Sequence, residues 1–106
     1  MDESFDKETI RRVRILLSLQ KALVGSITPH LRAVSVGWDE HHIDIYFIYD
    51  GKISDDDQEE SECVATEVLA SFPDDDVAAH HIRCDFPKKI PELGDNAIFR
   101  RKEIIP

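Results

Sequence analysis

Residues Leu31–Phe72, LRAVSVGWDEHHIDIYFIYDGKISDDDQEESECVATEVLASF, decide the fold. From Leu31 to Trp38 the side chains alternate. Val34, Val36 and Trp38 fall on one side with Arg32, and Leu31, Ala33, Ser35 and Gly37 on the other. The polar triplet Asp39-Glu40-His41 has the length of a hairpin connection. His42–Tyr49 then sets Ile43, Ile45, Phe47 and Tyr49 on one face against Asp44, Tyr46 and Ile48, a face only partly polar. Two strands joined by so short a turn pair antiparallel. Asp50-Gly51 turns the chain again. Ser54, with Asp57 three residues later, has the spacing of a capping box and starts a helix. Asp55, Asp56 and Asp57 occupy its first turn, where the helix dipole favours negative charge. Val64, Ala65, Val68, Leu69 and Phe72 supply its apolar stripe, with Ser61 small enough to join it.

Outward from this unit, Asp6 to about Ile27 reads as a helix. Ile10, Val13, Leu16, Leu17, Leu23, Val24 and Ile27 form one broad stripe, Ser4 or Asp6 is placed to cap, Gly25 to stop the helix and Pro29 to prevent its resumption. Arg11, Arg12, Arg14 and Lys21 lie off the stripe, as a solvated back pairing with neighbouring carboxylates. After the second helix, Pro73 and Asp74-Asp75-Asp76 break the chain, and Val77 to Phe86 alternates like a strand. A loop carries Pro87, Pro91 and Gly94, and Ala97–Glu103 forms a closing strand. The order is helix, strand, strand, helix, strand, strand. It predicts an α+β two-layer sandwich, with a mainly antiparallel four-stranded sheet and both helices on one face.

A chain of 106 residues, 42% hydrophobic, fits one domain over residues 1–106 with a core of its own. No apolar run approaches the roughly 20 residues of a membrane span. The charged start MDESFDKETIRR does not read as a secretory signal, and two cysteines are too few to staple a small secreted fold. A cytoplasmic, reduced protein is the expectation. The net charge of −9, from 22 acidic and 13 basic residues, repels phosphate backbones and anionic lipid. Nucleic acid and membrane are therefore not expected partners, whereas a protein with a basic surface is.

Chemistry is sparse. Asp50-Gly51-Lys52-Ile53-Ser54 is reminiscent of a calcium loop, but that alignment puts Tyr46 and Ile48 on the first and third ligand positions, which cannot coordinate calcium. His30, His41-His42 and His80-His81 with Cys63 and Cys84 contain neither a CxxC pair nor a helical HxxxH, so no metal or other cofactor is predicted. The serines lack a GxSxG elbow and four glycines make no phosphate cradle. The carboxylates run in exposed tracts and not on apolar elements that would raise a pKa, so no catalytic residue is named and no enzyme is expected. What remains is acidity. Asp55, Asp56, Asp57, Glu59 and Glu60 on the second helix, with Glu62, and Asp74, Asp75 and Asp76 beyond it, exceed what dipole complementarity needs. All of them except Glu62 are the candidate docking residues. Trp38, Tyr46 and Tyr49 are candidate aromatic anchors.

Several strings also resemble a known group. Leu31-Arg32-Ala33-Val34 leading to Trp38, FIYDGKISDDD at Phe47–Asp57, Thr66-Glu67-Val68 through Phe72-Pro73, and Arg100-Arg101-Lys102-Glu103 are similar to small bacterial immunity proteins of toxin systems, including contact-dependent growth inhibition. The likeness spans Leu16 to Glu103 and consists of structural punctuation, so it transfers no binding residue. It implies a cytoplasmic protein that binds and neutralises a cognate toxin domain. Basic nuclease clefts make electrostatic and steric blockade the expected mechanism. The alternatives are a general protein-interaction domain and a small metal-binding protein using His80, His81 and Cys84.

Overall fold

A computed structural model describes residues 6–104. Asp6 caps the first helix, α1 (Lys7–Leu23), its carboxylate accepting from the Thr9 N–H at 2.7 Å. Ser4, the other expected cap, lies outside the described residues. Strands β1 (Leu31–Trp38) and β2 (His42–Tyr49) follow, then α2 (Asp55–Ser71), β3 (Asp76–Arg83) and β4 (Asn96–Arg100). The chain is α+β, with both helices packed on one face of a four-stranded sheet ordered β3-β2-β1-β4. Among the described residues no helix is long and apolar enough to cross a membrane.

The sheet is mixed and not mainly antiparallel. β1 pairs antiparallel with β2 and with β4, but β3 runs parallel to β2 from His42↔Asp76 to Tyr49↔Arg83. The reason is α2, which acts as the crossover of a β2-α2-β3 unit and returns the chain to the end where β2 began. Asp76 therefore opens β3, as its N–H donates to the His41 carbonyl at 2.8 Å. The chain then leaves β3 at Arg83 and crosses the sheet, so that β4 lies on the far edge.

The core lies between the helices and the sheet. Ile15, Leu19, Ala22 and Leu23 of α1 meet Val34, Val36, Ile43, Ile45 and Phe47 of the strands, and Val64 and Val68 of α2. This corrects the stripe expected on α1: Val13, Leu17, Val24 and Ile27 are exposed. The helix also ends earlier, at Leu23, with Val24 extended and Gly25 at φ +80°. Tyr49 is buried, its hydroxyl 2.9 Å from Ser61 Oγ, so it is not a surface anchor. Ser61 Oγ also donates to the Asp57 carbonyl at 2.6 Å and lies 2.9 Å from His81 Nε2. One hydroxyl thus joins α2, β2 and β3.

Arg32 departs from the alternation as well. The register slips between Leu31 and Ala33, since Leu31 faces Tyr49 while Ala33 already faces Ile48. This bulge turns Arg32 away from the helices. Its buried guanidinium forks onto Glu103 at 2.7 and 2.9 Å, donates to the Cys84 carbonyl at 2.7 Å, and stands over the Phe86 ring. Arg101 joins the group through Glu103 at 2.9 Å and Asp50 at 3.1 Å.

The segment from Cys84 to Asp95 covers part of the sheet's second face. Ile90 packs with Ala33 and Ile48, flanked by Ile82, Cys84 and Leu93. Farther along, Gly94 crosses β1 at φ +67°, where a Cβ would stand 2.7 Å from the Val36 carbonyl group and a Cβ on Gly37 would stand 3.3 Å from Gly94 Cα. Gly94 has room only for glycine, and a side chain at Gly37 would press on the Gly94 backbone. Beyond this cover, Asp44, Tyr46, Ala78 and His80 keep solvent contact.

The Arg32 fork and the Arg101 hydrogen bond hold the Glu103 carboxyl at about 2, below its ordinary 4.5, against the opposing effect of desolvation. A depressed carboxyl stabilises the fold above its unfolded value and loses that contribution as pH falls from 4.5 through about 2. Glu103→Gln should therefore lower stability at pH 7 by about 3 kcal/mol, the scale for leaving a buried charge without its partner. The variant's stability should also fall less steeply than the parent's below pH 4.5 in urea unfolding.

Candidate partner-binding face

α2 presents its carboxylates by helical geometry. Asp57, Ser61, Val64, Ala65 and Val68 are its buried residues, and Asp55, Asp56, Glu59, Glu60, Glu62 and Glu67 project to solvent. Among the described residues, no salt bridge reaches Asp55, Asp56, Glu59 or Glu60. They are free acids on a helix whose dipole already accommodates negative charge at this end.

Asp57 is different. It is 3% exposed and closes the capping box, with its carboxylate accepting from the Ser54 N–H at 3.2 Å while its own N–H donates to Ser54 Oγ at 3.0 Å. Burial pushes its carboxyl up, but hydrogen bonds led by the Ser54 backbone N–H outweigh this and hold it below the usual carboxylate range. Sequence spacing placed it correctly as a cap and also counted it among the docking acids; the structure supports only the first role.

The acids beyond α2 divide in the same way. Asp75 is tied by Arg11 at 2.7 and 3.3 Å, and its side chain is 9% exposed, so it serves as a latch between α1 and the end of α2. Arg11 also donates to the Asp39 carbonyl, and Arg14 to the Ser71 carbonyl with its guanidinium over Phe72. The expected basic back of α1 is in this way largely turned onto neighbouring structure. Asp74 and Asp76 remain exposed, Asp76 lying 3.5 Å from His42 Nε2. The 17 residues of α2 separate them from Asp55 and Asp56 by about 25 Å, so the eight predicted acids form two patches and not one.

A second polar surface lies on the uncovered part of the sheet. His80 Nε2 is 2.9 Å from Asp44 Oδ1, and the His80 ring stacks on Tyr46 with centroids 4.8 Å apart. Parallel pairing of β2 with β3 sets Tyr46 beside His80, and this pairing was not legible from hairpin logic. Trp38 is partly buried against the core with Arg12 above its ring, which leaves Tyr46 as the aromatic side chain of this surface. His81 points to the helix side toward Ser61, and Cys84 lies beyond β3 against Arg32, so His80, His81 and Cys84 do not converge. Among the described residues no group of three or more His, Cys, Asp or Glu side chains is arranged to hold a metal ion.

Substitutions on α2 should separate cap from surface. Asp57→Ala removes the carboxylate that accepts from Ser54 and should cost about 1 kcal/mol, in the range of a lost helix cap. Glu60→Gln, exposed and past the first turn, should leave the thermal midpoint unchanged when the two variants are compared by calorimetry.

No curated protein matches the chain. The family model described as MafI2 immunity protein matches residues 12–103, nearly the whole of both structural layers. The chain belongs to the MafI2 immunity protein family, whose members protect against a cognate toxin.

Proposed function

We propose that this protein neutralises a bacterial nuclease toxin, of the contact-dependent growth inhibition kind or one delivered similarly, by covering its basic nucleic-acid cleft in the cytoplasm. The observation that carries this reading is the set of exposed acids on α2, Asp55, Asp56, Glu59 and Glu60, none in a salt bridge among the described residues. A nuclease cleft built to hold phosphates offers the opposite charge in a concave shape, and an acidic helix can enter it. Asp74 and Asp76 extend the negative surface toward the far end of the helix, with Asp57 and Asp75 fixing its position from inside. Blockade requires no chemistry from the immunity protein, and family membership fits that role.

The electrostatic part has a distinct signature. The double variant Asp55→Lys with Asp56→Lys should weaken binding to the cognate toxin domain and flatten the dependence of affinity on salt. Titrations at two ionic strengths measure both effects, and co-expression measures protection. Loss of growth rescue with retained folding is the expected outcome. Unaltered affinity and salt slope would move the interface off this end of α2.

A further inference from the structure

The two edges of the sheet are built differently. β4 is five residues long, bulged between Val34 and Ser35, and carries Arg100. Short length, a bulge and charge are the usual means by which an edge avoids pairing with another chain. β3 has none of them. Its eight residues, DVAAHHIR, contain no Pro, Gly or Lys, hold an uninterrupted register with β2, and carry charge only at Asp76 and Arg83.

The direction of its free groups follows from its first and last bonds. Asp76 donates its N–H to the carbonyl of His41, just before β2, and Cys84 donates to that of Tyr49, the last residue of β2. N–H and C=O of one residue point to the same side of a strand, and neighbouring residues alternate. The even-numbered residues therefore pair with β2, and Val77, Ala79, His81 and Arg83 aim their backbone N–H and C=O groups outward. Among the described residues, no strand takes them.

Acidic side chains flank this edge on both faces. On the helix side Glu62 is 63% exposed and lies 4.0 Å from His81, with exposed Leu69 two turns along the same side of α2. On the other side stand His80, its partner Asp44, and Tyr46, on the part of the sheet that the Cys84–Asp95 segment leaves bare.

We infer that the β3 edge receives an extended, cationic strand of the toxin, which continues the sheet while its Lys or Arg side chains reach Glu62 on one face and the Asp44–His80 pair on the other. This rests on the proposed immunity function and extends the interface from α2 onto the adjacent edge. A second copy of this chain is the weaker occupant. An antiparallel β3–β3 pair would match Asp76 with Arg83, but it would bring two chains of net charge −9 together with their acidic α2 helices on the same side.

Amide hydrogen exchange followed by NMR, on the free chain and with the cognate toxin domain, tests the edge directly. In the free protein the amides of Val77, Ala79, His81 and Arg83 should exchange faster than those of Ala78, His80 and Ile82. In the complex the odd-numbered set should slow by about tenfold or more as its donors find acceptors. Ala79→Pro removes one outward N–H without removing a bond to β2, and should weaken toxin binding about tenfold with unchanged circular dichroism. A complex in which the odd-numbered amides stay fast would overturn the strand addition and leave docking through α2 standing. Odd-numbered amides already slow in a free protein of dimeric mass would give the edge to a second copy. No complex with an active toxin domain would defeat the immunity reading and this inference together.

Discussion

The buried guanidinium of Arg32 is the constraint on which the sheet depends. It sits at one end of all four strands and organises the entry of its own β1 and the exits of the other three: the Cys84 carbonyl just past β3, Glu103 beyond β4, and, through Arg101, Asp50 just past β2. A buried cation without a carboxylate is costly by several kcal/mol, so the Glu103 segment must return to this place once β1 has formed. That requirement sets where the chain goes after its long crossing from β3. It also explains the bulge, since regular alternation would aim Arg32 into the aliphatic layer beneath the helices.

The strings that resemble immunity proteins acquire a physical meaning here. Leu31-Arg32, Asp50-Gly51 and Arg101-Lys102-Glu103 are far apart in sequence and adjacent in space. Gly51 completes the set, with φ +79° and its N–H donating to Asp85, whose carboxylate also holds Arg83. They are the pieces of one ion-pair cluster. A resemblance carried by such residues reports how the fold is closed, which is why it pointed to a family while naming no contact to the toxin.

How far the fold could be read from residues depended on whether local rules had competitors. The β1–β2 hairpin and the Ser54–Asp57 capping box were legible because turn length and cap spacing are local, and both stand in the structure at the expected positions. The stripe of α1 was not, because the helix carries apolar residues on more than one side. Ile10, Val13 and Leu17 fit a helical period as well as Ile15, Leu19 and Ala22 do, and only packing against the sheet chooses the latter. The parallel β3 was misread for a different reason. Alternation identifies a strand but not its neighbour, and α2 had to be recognised as a crossover. Of the candidate acids, Asp55, Asp56, Glu59 and Glu60 were correctly placed on the surface, whereas the burial of Asp57 and the pairing of Asp75 depend on three-dimensional partners.

The distribution of charge, more than its total, connects this fold to an immunity role. Arg11, Arg32 and Arg101 are each engaged with acids or carbonyls that close the structure, and Arg14 lies against Phe72 at the end of α2. Arginine suits this work because its planar fork meets a carboxylate or several carbonyls at once. Internal use of these cations leaves Asp55, Asp56, Glu59 and Glu60 without a salt-bridge partner among the described residues, so the outer helix face is more negative than composition alone implies. Self-repulsion among such acids costs little in salt while the face is in water, and a basic cleft removes even that cost. The same network that closes the fold thus directs its uncompensated charge to the side of the molecule where α2 and the open edge of β3 lie together.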